Sequence, residues 1–96
     1  MSAYIVFLLE KTVNTTEFEL YKKKSATARG DYDITRLAYY GEHEVLEGDP
    51  IEASVIIRFP DMESAKSWYS SAAYQEALNH RLKAAICKVV LIQGSD

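Results

Sequence analysis

The hydrophobic positions of this chain change period four times, and each change marks a boundary between elements. From Ala3 to Leu9 every position is apolar, with Tyr4, Val6 and Leu8 on one face and Ile5, Phe7 and Leu9 on the other. That pattern predicts a strand covered on both sides. After Asn14 the spacing lengthens to Phe18, Tyr21, Ser25 and Ala28, one weakly apolar stripe of a helix. Asn14 supplies a capping side chain, and Glu17 sits where an acid favours the positive end of the helix dipole. Asp33 to Tyr40 returns to strand composition with Ile34, Leu37, Tyr39 and Tyr40. Gly41 permits a bend or bulge before a short strand extension at Glu44 to Leu46, and Gly48-Asp49-Pro50 predicts a turn. Ile51 to Phe59 then reads as a strand with Ile51, Ala53, Val55, Ile57 and Phe59 on its core face and a mixed face of Glu52, Ser54, Ile56 and Arg58.

Pro60-Asp61 stops that strand and caps a helix whose stripe is Met62, Ala65, Trp68 and Tyr69, with Ala72 or Ala73 next in the repeat. Ser70-Ser71 breaks or bends it, Ser71 capping a second segment from Ala72 to Ala84 that carries Tyr74, Ala77, Leu78 and Leu82. Ile86 to Gln93 is a last strand, largely apolar on both faces. The order βαββαβ is the ferredoxin-like α+β motif: a four-stranded antiparallel sheet with two helices on one face. Right-handed crossovers set the first and last strands near the third and leave the Asp33 to Leu46 strand at an edge. The chain's own helices cover one side of such a sheet, so the other side calls for a second protomer, a homodimer.

At 96 residues the chain makes one domain, residues 1–96, and 48% hydrophobic residues suffice to fill its core. Eleven basic against 14 acidic side chains give a net charge of −3, which excludes the basic field that nucleic-acid binding needs. A single cysteine, Cys87, cannot form an internal disulfide and fits a reducing compartment. With no targeting segment and no run long enough to span a bilayer, a cytoplasmic protein without a membrane partner is expected.

Chemistry-bearing residues are few. His43 carries an imidazole, the ring type suited to acid–base work, and is the catalytic candidate, against the plainer reading of an exposed residue beside a hairpin. His80, late in the second helical region, suits the dipole there. Two separated histidines without a cysteine partner form no metal-ligand pattern. Lys22, Lys23 and Lys24 read as a solvated face. Tyr21, Tyr39, Tyr40, Tyr69 and Tyr74 place hydroxyls where apolar walls could enclose a ligand, or else fill core and interface. Trp68 reads as packing with an indole N–H in need of an acceptor, and Arg58 and Arg81 either pair with acids or bind a carboxylate in a pocket. No phosphate loop, nucleophile elbow or dinucleotide fingerprint appears, so no cofactor is expected.

Glu44 to Asp49, Phe59-Pro60, Met62-Glu63, Ala65, Trp68-Tyr69, Ser71, Tyr74-Gln75, Arg81 and Gly94, with Tyr4 and Tyr21, together resemble the small bacterial proteins known as domain of unknown function 1330, within the dimeric α+β barrel superfamily. The resemblance covers nearly the whole chain and implies two sheets packed face to face. Asp33-Ile34 stands where that family usually has two glycines, and Pro50, Ile51, Glu52 and Ala53 replace its usual tryptophan and basic residues. An anion site built from those basic residues is not implied here. The wider superfamily includes cofactor-free oxygenases, isomerases and dehydratases of small aromatic or lactone-like compounds. Three readings follow. The first is a homodimer binding a small, partly apolar molecule between sheet and helices, with Tyr21, Tyr40, Trp68, Tyr74 and Arg81 as ligand-binding candidates. The second is a cofactor-independent enzyme using His43 or a tyrosine to carry protons, and the third a structural or interaction module with a filled interior.

Overall fold

A computed structural model describes residues 1–96. Its elements are β1 (Ala3–Thr12), α1 (Thr15–Thr27), β2 (Thr35–Tyr39), β3 (Ala53–Phe59), α2 (Met62–Ser70), α3 (Ala72–Ala84) and β4 (Ala85–Gln93). The strands form one antiparallel sheet in the order β2-β3-β1-β4. This is the ferredoxin-like arrangement, with one adjustment to the expected neighbours: β4 pairs with β1 and forms the far edge, two strands from β3.

The helices are three. Ser71 takes an extended backbone (φ −62°, ψ 149°), so it ends α2 and its hydroxyl accepts from the Tyr74 N–H to start α3. The other starts are capped as their side chains dictate: Asn14 Oδ1 accepts from the Glu17 N–H at 3.1 Å, and Asp61 Oδ1 from the Ser64 N–H at 2.7 Å. Ala3, Ile5, Phe7 and Leu9 of β1 and Val55, Ile57 and Phe59 of β3 are buried together with Phe18 and Tyr21 of α1, Ala65 and Trp68 of α2, and Tyr74, Ala77 and Ala84 of α3. Leu82, expected on the inner face of α3, is instead 68% exposed, because the inward stripe continues through Arg81 and Ala84.

The short strand expected at Glu44 to Leu46 does not form. Pairing of β2 with β3 runs out at Tyr39 opposite Val55, and residues 41–50 have no strand beside them and are exposed throughout. A strand without a partner leaves its backbone groups to water, which removes the reason for it to stay extended.

Candidate functional site

The sheet and helices frame a partly open cavity of about 70 Å³ between the inner sheet face and α1. A buried water needs roughly 10–15 Å³ by the same measure, so the space holds several waters or a small organic molecule. Apolar side chains of β1 and β3, including Phe7, Val55 and Ile57, form its floor, and Phe18 and Tyr21 of α1 its roof. Arg29, Ile34, Arg36, Tyr39 and Tyr40 close the β2 side, and Trp68, Arg81 and Cys87 the opposite end.

The β2 wall depends on two backbone irregularities. A bulge between Arg36 and Ala38 pairs Arg36 with Ile57 and Tyr39 with Val55, so side chains three apart share the inner face that strict alternation would have split. Tyr40 then has φ +55°, its N–H donating to the Ser54 carbonyl at 2.9 Å. A bulky residue with positive φ stores on the order of 1–3 kcal/mol of strain. Consecutive tyrosines thereby line one cavity, their rings 4.6 Å apart and edge to face. The Arg36 guanidinium carbon stacks 4.0 Å from the Tyr39 ring centroid, and Arg29 is held by a hydrogen bond to the Ile34 carbonyl.

At the other end, Tyr21 and Tyr74 join hydroxyls at 2.9 Å, and the Arg81 guanidinium carbon lies 5.6 Å from the Tyr21 ring centroid. Burial raises the phenol pKa of Tyr21 and Tyr74 above the usual tyrosine value, and Tyr40 rises for the same cause, so all three stay neutral hydrogen-bonding groups. Arg81 is 5% exposed. Burial on its own would weaken its charge, but the neighbouring Tyr74 and Tyr21 oxygens and the Cys87 sulfur outweigh it, and the guanidinium stays protonated. Its Nε has no hydrogen-bond partner, and neither does the Trp68 indole Nε1.

Among the candidates read from the sequence, Tyr21, Tyr40, Trp68 and Arg81 meet around this cavity, and Tyr74 backs it through its bond to Tyr21. His43 does not join them. It stands in the exposed 41–50 segment, with Nε2 3.0 Å from the Ile51 carbonyl oxygen. Arg58 is exposed on the outer sheet face, opposite Tyr4. Lys22, read as solvated, is half-buried with its ammonium 5.0 Å from the Tyr40 ring centroid, and His80 Nδ1 meets Glu17 Oε2 at 2.5 Å between α3 and α1. Arg29, Arg36 and Cys87 were missed. None of those three had a local signal to find it by, whereas Arg81, read as a candidate, is a charged residue seven after Tyr74, where the buried stripe of α3 calls for a hydrophobe.

Comparison with solved structures places the fold among proteins of low identity. A protein of unknown function from Rhodopseudomonas palustris, RPA0582, is similar with a TM-score of 0.79 at 13% identity, over 99% of this chain and 83% of the other. A dimeric ferredoxin-like protein of unknown function from Thermobifida fusca gives 0.67 at 12%, over 98% and 92%. SnoaB from Streptomyces nogalater, a cofactor-independent oxygenase, gives 0.63 at 10%, over 99% and 93%. No curated protein matches the chain. The profile described as "Domain of unknown function (DUF1330)" matches residues 2–95, and the chain belongs to that family.

Proposed function

We propose that this chain is a homodimeric domain that binds a small, partly apolar molecule in the cavity between its sheet and helices. The observation that carries the reading is the cavity itself: an opening of about 70 Å³ with mostly hydrophobic walls and a few polar groups at its ends. A concave, mostly apolar pocket with a few convergent polar groups is the usual makeup of a small-molecule site. The dimer supplies what the chain's own helices do not cover. On the outer sheet face Val6 pairs directly with Ile56 and Val90, and Tyr4 with Ile92, while Val90 and Ile92 are 38% and 48% exposed. The dimeric ferredoxin-like neighbours support covering that face with a second copy.

The test is a thermal-shift screen of small amphipathic molecules on the wild-type chain and on Ser25→Trp, which places a large ring at the cavity wall from the half-buried Ser25. Compounds that raise Tm for the wild type and not for Ser25→Trp support the cavity, whereas equal shifts for both, or no shift for either, contradict it.

A second reading, a cofactor-independent enzyme, draws on the same walls. With Tyr74 donating to it, the neutral Tyr21 hydroxyl beside the Arg81 cation is a donor of the kind that stabilises a developing oxyanion. In this reading a tyrosine takes the proton-carrying role in place of the exposed His43. Turnover of a bound compound, lost in Tyr21→Phe with binding retained, would establish it.

A further inference from the structure

We propose that the molecule bound in this cavity is a monocarboxylate with an apolar body, its carboxylate meeting Arg81. The inference rests on the cavity reading above and adds the chemical class of the ligand.

Three features converge. The first is the charge balance of the walls. The chain has more acidic than basic side chains, yet the cavity is lined by three arginines, Arg29, Arg36 and Arg81, and by no aspartate or glutamate. The second is the state of Arg81. It is 5% exposed, none of the ion pairs of the molecule (Lys22 with Glu19, Lys24 with Glu76, His80 with Glu17) includes it, and its Nε–H has no acceptor. Phenol oxygens and a thiol surround it, and these are dipoles rather than a counter-charge. A buried cation without an anion is unfavourable, and a carboxylate entering the cavity supplies the missing partner. The third is geometric. A guanidinium offers its donors in a planar fork that fits a carboxylate, and the cavity-lining Tyr21 hydroxyl, which can accept from Tyr74, is left with its own proton to donate to the same oxygens. The remaining walls, Phe7, Phe18, Ile34, Val55 and Ile57, leave the rest of the ligand an apolar enclosure. Arg29 and Arg36 at the β2 side give the entrance the sign that draws an anion toward a protein whose net charge repels it.

Isothermal titration of the full chain with matched probes tests this: benzoate against benzamide, and hexanoate against hexanamide, which share size and differ in charge. The carboxylates are expected to bind at least about tenfold more tightly than the amides, as charge-assisted hydrogen bonds to a buried donor require. In Arg81→Met the preference disappears, because the methionine keeps much of the volume and none of the charge. Arg81→Lys, which retains the charge without the fork, keeps part of it and serves where Arg81→Met fails to fold. Amides that bind as well as carboxylates overturn the assignment to Arg81 and leave the cavity reading standing. If no probe of either kind binds, both fall together. Phenyl phosphate binding more tightly than benzoate overturns the carboxylate class.

Discussion

The hydroxyls of Tyr21 and Tyr74 meet at 2.9 Å, 53 residues apart in sequence, and join α1 to α3 beside the cavity. Both rings are buried and stand nearly perpendicular, at 80°. Removing either hydroxyl leaves the other without its partner, whereas removing both leaves two apolar rings in contact. Tyr21→Phe and Tyr74→Phe are each expected to cost about 1–2 kcal/mol, and the double variant clearly less than their sum. A double-mutant cycle by urea denaturation measures this. Strictly additive losses would show that the bond contributes nothing specific.

The same burial sets an alkaline limit. Tyr21, Tyr40 and Tyr74 hold their protons more tightly in the folded chain, mainly through loss of water around the phenols. Unfolded tyrosines ionise near pH 10, so above that pH the unfolded chain binds fewer protons than the folded one and stability falls as pH rises. Below about pH 10 the contribution is fully present. Urea midpoints measured from about pH 8 to pH 11 are expected to drop at the upper end, and to drop less in the variant with all three tyrosines changed to phenylalanine. An unchanged slope in that variant would contradict the assignment.

On the outer sheet face the exposed Val90 distinguishes a monomer from a dimer. In a lone chain Val90→Glu is a surface change within roughly 0.5 kcal/mol. Between two packed sheets it buries a charge on each copy. Sedimentation equilibrium should show the wild type at twice the 10.9 kDa chain mass and Val90→Glu at or near the monomer. A wild-type chain that sediments as a monomer contradicts the pairing.

Gly94 is required by close approach. A Cβ there would lie 2.8 Å from Tyr4 Cε2 and 2.9 Å from the Ser2 carbonyl oxygen, and that oxygen is fixed because it accepts the Gly94 N–H at 2.7 Å. Gly94→Ala is expected to lose about 1–3 kcal/mol in guanidinium unfolding, as overpacking does. Gly41→Ala, with open space around its Cβ, should change stability by less than about 0.5 kcal/mol.

Much of the fold was legible because local signals agreed with one another. Asn14, Asp61 and Ser71 announced three helix starts, and the unbroken apolar run of β1 announced a central strand. What escaped was set by tertiary pairing. The bulge before Ala38 and the left-handed Tyr40 bring Arg36, Tyr39 and Tyr40 to one wall, and nothing in the local spacing of β2 marks either departure. Glu44 to Leu46 had the composition of a strand extension but no neighbour to pair with. His43 was singled out by the chemistry of its ring, which says nothing about whether a loop turns that ring toward a cavity or toward water. Arg81 was legible as a residue, but the absence of its counter-charge emerged only once the walls were assembled.

Trp68 offers the most direct measurement, since it is the chain's single tryptophan and lines the cavity. Titrating the wild-type protein with benzoate, benzamide, hexanoate and hexanamide while following tryptophan emission reports occupancy at that wall. A saturable change in emission, absent in Ser25→Trp/Trp68→Phe when its introduced indole is followed as a control, is the result predicted for a ligand-binding cavity. Emission that stays constant up to millimolar probe, with no rise in Tm, would show the cavity to be closed to such molecules and contradict the proposed function.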